Sequence, residues 1–256
     1  MWRRPEAQAA LLGLLHGPAE LLPVSSSGHV AALPWLLGWE IARWPGERRK
    51  ELEVALHAGT ALALARELVP ARAELGLVAL ASTPPVFAAF AGERVVEERL
   101  GGPRSLAAGL LAGSAALALA DRRTGTRRRA DANLADGAWL GLAQAAALVP
   151  GVSRTGATLA AARWRGFARA EAGGLSFAVA GPVLAGAAVL KGSRVLAAGA
   201  EAPRGALAAG TAAAFASALV ARRALGLVRE RPLWPWALER TALAAAILAV
   251  RYRRSP

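Results

Sequence analysis

The chain contains no cysteine and only three histidines, His16, His29 and His57. Without cysteine, neither a disulfide nor a cysteine-ligated metal can stabilise the fold, and the redox compartment stays open. The first residues, MWRRPEAQAALLGLL, combine a basic start with an apolar run, but no convincing small-residue cleavage site follows them. We therefore expect this segment to belong to the mature protein and not to a signal peptide.

Acidic residues are scarce: 18 face 31 basic ones, so the net charge is +13 and comes almost wholly from arginine. In a soluble protein this balance would suggest nucleic acid. Here the basic runs fall between apolar blocks, which predicts loops against anionic lipid headgroups and no nucleic-acid partner. The runs are RWPGERRK (43–50), DRRTGTRRR (121–129), RWRGFAR (163–169), ARRALGLVRERP (221–232) and RYRR (251–254). The 121–129 loop is the one we expect on the cytoplasmic side.

Apolar residues make up 55% of the chain, and they come in long blocks. Blocks of this kind approach the ~20 residues that a helix needs to cross a bilayer. Six spans are predicted, at 53–69, 75–91, 105–120, 174–190, 205–221 and 233–250. Two further segments, 8–38 and 134–162, are interrupted by Gly, Pro, Ser and charge, which predicts broken or re-entrant helices. The expected fold class is an all-α polytopic membrane protein with about six transmembrane helices and two re-entrant segments.

The two interrupted segments resemble each other. A shift of 128 positions lays GLLHGPAELLPVSSSG (13–28) over GLAQAAALVPGVSRTG (141–156) without a gap. Each copy precedes about three predicted spans, and an odd number of crossings reverses the side of the chain. One integral-membrane domain with two inverted repeats, about 1–125 and 126–256, is therefore predicted, with both loops meeting near the membrane midplane.

The first loop has Ser25, Ser26 and Ser27 before Gly28. Consecutive hydroxyls compete for backbone hydrogen bonds and glycine permits tight geometry, so a turn is predicted here. If a helix begins at Gly28, hydroxyls, backbone N–H groups and the positive helix end point to one place, which makes a phosphate cradle.

The second loop repeats this arrangement with Ser153, Arg154, Thr155 and Gly156. Arg154 takes the middle position, and its guanidinium fork suits a phosphate oxyanion. The two loops together predict a site for a phosphorylated ligand.

Titratable residues flank the first loop. His29 follows it directly and can act as general acid, general base or nucleophile. Glu20 lies one helical turn from His16, so both project from one helix face. A carboxylate in a membrane segment is costly and indicates function, with a divalent cation or Arg154 as its expected partner. Glu20 and His16 are the candidate metal ligands.

His57 lies in the apolar stretch EVALHAGTALAL, where Glu53 is the nearby titratable residue at helical spacing. A single histidine on an apolar helix is usually a satisfied interior residue. We expect a structural role for it.

The stretches GPAELLPVSSSGHV and PGVSRTGATLA resemble the bacterial undecaprenyl-diphosphate phosphatases, the bacitracin-resistance family. EVALHAGTALAL (53–64) and SFAVAGPVLAGAAVLK (176–191) resemble other family segments in the same order. The resemblance implies a multi-pass plasma-membrane enzyme of inverted repeats, with its site on the periplasmic side. It implies hydrolysis of undecaprenyl diphosphate to the monophosphate, which returns the lipid carrier to peptidoglycan synthesis.

Carried over by position, Glu20 is similar to the second acid of the family's Glu/Gln-x-x-x-Glu motif, and Ser25 and Ser26 to its loop serines. His29 is similar to the family histidine and Arg154 to the diphosphate-binding arginine. Two positions depart from the family. His16 stands where the family has Glu or Gln, which removes one oxygen ligand, and His57 stands where it usually has Gln.

Three functions are compared. The first is hydrolysis, with Mg²⁺ or Ca²⁺ near Glu20 and the diphosphate, and with attack either by Ser26 activated by His29 or by a water that His29 deprotonates. The second is transport, because inverted repeats with polar loops also build transporters, so the chain could flip a polyprenyl phosphate. The third, a lipid phosphatase of the acid-phosphatase superfamily, needs a histidine where this chain has Ala160. Whether the protein forms a homodimer is left open.

Overall fold

The computed structural model describes residues 4–254, without the side chains of 93–95, 97–98, 191, 194–198, 224–229 and 251–254. This part of the chain is helical, and its one strand-like feature is an isolated bridge between Arg127 and Phe167. The helices are α1 Pro5–Leu21, α2 Ser26–Leu36, α3 Gly46–Ala63, α4 Leu75–Leu100, α5 Pro103–Asp121, α6 Leu134–Ala146, α7 Arg154–Trp164, α8 Arg169–Ala198, α9 Arg204–Arg229 and α10 Trp234–Arg254.

Four helical stretches among the described residues are long and apolar enough to cross a membrane. They are Arg72–Gly92, Pro103–Asp121, Arg169–Leu190 and Arg204–Arg223. They coincide with the predicted spans at 75–91, 105–120, 174–190 and 205–221, so the expected class, a helical multi-pass membrane protein, is confirmed.

The other two predicted spans fare differently. The bounds 53–69 are wrong, because α3 already ends at Ala63 and residues 64–69 form turns and a bend. The segment 233–250 is helical, but it contains Glu239 and Arg240 and is not among the four apolar stretches of the described chain. The count of six spans stays a prediction.

Both interrupted segments are broken helices, as predicted. The first break separates Leu21 from Ser26, and the second separates Ala146 from Arg154. The helices after the breaks, α2 at 26–36 and α7 at 154–164, begin and end at positions that differ by 128. The sequence repeat therefore has a structural counterpart at these two helices, while the re-entrant path and the division at residue 125 stay predictions.

The chain divides into two compact units. Unit 1 comprises Met1–Leu21, His29–Arg66 and Leu184–Leu225, and unit 2 comprises Leu22–Gly28, Glu67–Val183 and Gly226–Pro256. In unit 1, small residues of α1 pack against α9: a Cβ on Gly13 would clash with Gly210, and one on Gly17 would clash with Ser217 and Ala218. Such small residues let helix backbones approach closely, and in a membrane this close packing helps to hold helices together because the hydrophobic effect does not.

In unit 2, α4 packs on α6, α10 packs on α5, and α7 packs on both α5 and α6. The loop after α5 is held by Arg127, which donates to both carboxylate oxygens of Asp136 at 3.1 and 2.7 Å. The hydrogen bond to this carboxylate raises the pKa of Arg127 further above its ordinary value. The guanidinium thus stays charged and anchors the basic loop to the start of α6.

Candidate functional site

The first loop, in unit 2, is a helix start with an unusual backbone. Ser25 has φ +73°, the left-handed region that favours glycine, and it is the one non-glycine residue with positive φ in the described chain. Its Oγ accepts a hydrogen bond from the Gly28 N–H at 3.3 Å. A Cβ on Gly28 would lie 2.9 Å from that Oγ, so glycine leaves room for the capping contact. The turn predicted at Ser25, Ser26, Ser27 and Gly28 is therefore misplaced: residues 22–24 form the turn, and α2 begins at Ser26 because the Ser25 hydroxyl caps its first N–H groups.

The second loop, also in unit 2, repeats this cap at the equivalent positions. Ser153 is the N-cap of α7, and its Oγ accepts from the Gly156 N–H at 3.1 Å. The chain reverses at Gly151, which has φ +89° and lies against Leu106 and Leu110 of α5. Both predicted phosphate cradles are therefore capped helix starts with a serine three residues before a glycine.

Arg240 of α10 connects the two loops. Its Nη2 donates to the Gly151 carbonyl at 2.9 Å, and its Nη1 donates to the Pro23 carbonyl at 3.3 Å. The side chain is fully buried, and Gly113 of α5 makes room for it, since a Cβ there would clash with the guanidinium. A buried cation thus joins the two loops, while their meeting near the membrane midplane stays a prediction.

Arg240 was not among the site residues predicted from the sequence. It lies inside a predicted span and belongs to neither loop motif. One signal was available: an ionisable residue within an apolar membrane segment indicates function by default. The sequence does not show that α10 packs against the two loops, and this position is known only from the tertiary structure.

The other loop residues line the same helix starts. Ser26, Ser153, Thr155 and Gly156 are buried, while Ser27 and Arg154 are half-buried. In α7, Thr158 Oγ1 is 2.6 Å from Ser176 Oγ of α8, which fixes the helix against its neighbour within unit 2. Two helix N-termini, Arg154 and Arg240 together give this part of unit 2 a positive character suited to phosphate oxygens.

Unit 1 contains the predicted acid and all three histidines of the chain. His16 and Glu20 lie on the same side of α1 and are both buried. His57 of α3 joins them: its Nδ1 is 3.7 Å from Glu20 Oε2, and its ring lies edge-on to that of His16 at 4.4 Å. One ligand atom from each of these three residues lies within 4.8 Å of the others.

His57 therefore lies beside both candidate metal ligands, which the expectation of a structural role did not include. The proximity of His57 to Glu53, at 3.8 Å, could be predicted from their i, i+4 spacing on one helix. Its proximity to Glu20 could not, because it arises from the packing of α1 on α3. Thr60, one turn further along α3, hydrogen-bonds His16 Nδ1 at 2.9 Å and was also missed. His29, at the start of the second stretch of unit 1, is half-buried on α2.

Comparison with known proteins agrees with these features. A model of the family described as Bacitracin resistance protein BacA matches residues 9–246. The undecaprenyl-diphosphatase of Geobacter sulfurreducens is 37% identical, with 96% of this chain and 98% of that protein aligned. The proteins of the same name from Geobacter metallireducens and Trichlorobacter lovleyi are 36% and 34% identical, each with 94% of this chain and 96% of its own length aligned. The chain belongs to the bacitracin resistance protein BacA family.

Proposed function

We propose that this protein hydrolyses undecaprenyl diphosphate to undecaprenyl monophosphate and phosphate, and so recycles the lipid carrier for cell-wall synthesis. The observation that carries the proposal is the pair of serine-capped helix starts joined by Arg240, in a chain whose relatives bear the name undecaprenyl-diphosphatase. The alternative, a polyprenyl-phosphate flippase, is not favoured, because the relatives are named for diphosphate hydrolysis.

In this proposal the chain's own groups bind and orient the diphosphate. Arg154 and the N–H groups at the start of α7 bind phosphate oxygens, and Ser25, Ser26 and Ser27 offer hydroxyls at the start of α2. As the phosphorus–oxygen bond breaks, charge on the leaving phosphate grows, and fixed donors stabilise that charge without reorganising. His29 accepts the proton of the attacking group, which is either the Ser26 hydroxyl or a water. Attack by water releases phosphate directly, whereas attack by Ser26 forms a phosphoserine that a water then hydrolyses.

A divalent cation is part of the prediction, with Mg²⁺ or Ca²⁺ as the expected ions and Glu20 and His16 as ligands. When bound, such a cation supplies Lewis-acid stabilisation of phosphate oxygens. The donors present are one carboxylate and imidazole nitrogens. They could bind a divalent cation through mixed nitrogen and oxygen ligands, which differs from the all-oxygen ligand sets typical of Mg²⁺ and Ca²⁺.

The location, the topology and the partners are also part of the proposal. We place the protein in the bacterial plasma membrane with about six spans and two re-entrant segments, and with its site on the periplasmic side. Membrane lipids contact the arginine-rich loops, and a homodimer is compatible with the proposal.

Phosphate release from a polyprenyl diphosphate in detergent tests the function. Arg154→Ala and Glu20→Ala should each abolish release, whereas Arg49→Ala, at an exposed arginine of α3, should leave it unchanged. Undiminished turnover in both site variants would contradict the proposed hydrolysis. Lipid movement in proteoliposomes without phosphate release would favour transport instead.

A further inference from the structure

Unit 1 holds a cluster of three possible metal ligands of mixed chemistry. His16, Glu20 and His57 offer two imidazoles and one carboxylate, with one ligand atom of each within 4.8 Å of the others. We infer that these three residues bind a nitrogen-preferring dication of the Zn²⁺ class and discriminate against Mg²⁺ and Ca²⁺. The inference replaces the expected Mg²⁺ or Ca²⁺ with a nitrogen-preferring ion, and it rests on the proposed function only for the cation's part in catalysis.

The strongest observation is the state of His16. Its side chain is fully buried, its Nδ1 is 2.9 Å from Thr60 Oγ1, and its Nε2 is buried with no hydrogen-bond partner among the described residues. Buried polar atoms are almost always satisfied, so an orphaned ring nitrogen needs an explanation. When Nδ1–H donates to Thr60, Nε2 carries the lone pair that a metal requires, and the threonine fixes the tautomer and the ring orientation.

His57 supplies the second nitrogen and the route of access. About 30% of its side chain is exposed, whereas Glu20 is only 6% exposed. Its two ring nitrogens face two carboxylates: Nδ1 is 3.7 Å from Glu20 and Nε2 is 3.8 Å from Glu53. A histidine that binds a metal through one nitrogen typically directs the other to a carboxylate or a carbonyl. Glu53 is placed for that supporting role.

The donor set decides which cation is favoured. Mg²⁺ and Ca²⁺ select oxygen ligands, and Mg²⁺ prefers six of them in an octahedron. Imidazole suits Zn²⁺ and its neighbours in the transition series, and two histidines with one glutamate form a known kind of zinc site. Three protein ligands leave a position for water or for an oxygen of another ligand.

Metal binding is testable without turnover. The full chain, purified in detergent, freed of any histidine tag and stripped with a chelator, is titrated with Zn²⁺ against a chromophoric competitor. Bound metal is counted by elemental mass spectrometry in excess Mg²⁺ or Ca²⁺. We expect one Zn²⁺ per chain that a tenfold excess of Mg²⁺ or Ca²⁺ does not displace, and visible bands on Co²⁺ substitution that indicate nitrogen ligation.

Variants connect the binding to the cluster. His57→Gln and His16→Gln should each weaken Zn²⁺ binding by roughly a hundredfold or more, and Thr60→Val by about 10- to 100-fold, as expected for a supporting residue. His29→Gln is the matched control, because it removes the third histidine, which lies outside the cluster. Because His16 is buried, the helicity and the elution volume of His16→Gln are measured to check that this variant folds. His57 is about 30% exposed, so His57→Gln depends less on core packing.

Two results would overturn the inference: Mg²⁺ or Ca²⁺ binding as tightly as Zn²⁺, or His57→Gln and His29→Gln weakening Zn²⁺ binding equally. Phosphate release is measured separately on the same samples. Release without selective Zn²⁺ binding removes the inference and leaves the proposed function intact. Selective Zn²⁺ binding without phosphate release supports the inference and contradicts the proposed function.

Discussion

The two helix breaks carry the same cap but differ in backbone and in charge. In both, a serine hydroxyl accepts from the N–H of a glycine three residues later. The first break takes its left-handed residue at Ser25, inside the cap, while the second takes it at Gly151, two residues before its cap. The first loop is neutral at Ser26, and the second has Arg154 at the equivalent position.

This difference teaches how a duplicated element can divide its tasks. The shared cap preserves the helix start and its aligned N–H groups, which is what an anion needs. Arg154 gives the second loop a guanidinium group that can donate two parallel hydrogen bonds. Ser25 gives the first loop a hydroxyl at a left-handed position that glycine would adopt with less strain. Strain at a non-glycine residue costs about 1–2 kcal/mol and often marks a functional position.

The largest effect is expected when the charge difference between the loops is removed. Arg154→Ser makes the second loop resemble the first, and kcat/KM for phosphate release should fall by roughly a thousandfold, because one preorganised cationic donor is lost. Arg154→Lys should recover only part of this, since an ammonium keeps the charge but not the bidentate geometry. Steady-state phosphate release measures both variants. Full activity of Arg154→Ser would show that the two loops are interchangeable.

A smaller effect is expected from removing the link between the loops. Arg240→Met leaves the Pro23 and Gly151 carbonyls without their donor, so both loops lose their support. A misplaced site costs about a hundredfold in turnover, and an orphaned buried acceptor costs about 2 kcal/mol. Phosphate-release kinetics and the apparent melting temperature in detergent give the two values.

Arg240 is a positioning residue, so kcat should fall more than KM rises, and Arg240→Lys should restore part of the rate. Arg104→Met, at an exposed arginine where α5 begins, is the matched control and should change neither value. Unaltered kcat in Arg240→Met would mean that the loops hold their geometry without the bridge.

The smallest effect separates the two caps. Ser25→Gly removes a helix cap but also relieves the backbone strain of a left-handed serine. Ser153→Gly removes the equivalent cap at φ −72°, where the serine backbone is unstrained. A glycine in place of a serine cap costs a few tenths of a kcal/mol, so Ser25→Gly should be the more stable variant by about 1 kcal/mol. Apparent melting temperatures of the pair provide the comparison. Equal shifts would mean that the Ser25 backbone is unstrained.

Prediction from the sequence succeeded where the signal is local. Four spans follow from long apolar runs, and both helix breaks follow from Pro, Gly and Ser within a few residues of one another. It failed at the end of α3, where the predicted span continues to residue 69 but the helix stops at Ala63. The residues that follow include the charged Arg66 and Glu67 and form a largely exposed turn, which average hydrophobicity over a window does not reveal.

What the sequence by itself determined is the membrane class, the paired loops, and the residue types of the two capped helix starts, since each depends on neighbours along the chain. Only the tertiary structure decided that His57 joins His16 and Glu20, and that Arg240 connects Pro23 to Gly151. These contacts join helices far apart in sequence. They depend on close helix packing at glycines such as Gly113, which no single segment encodes.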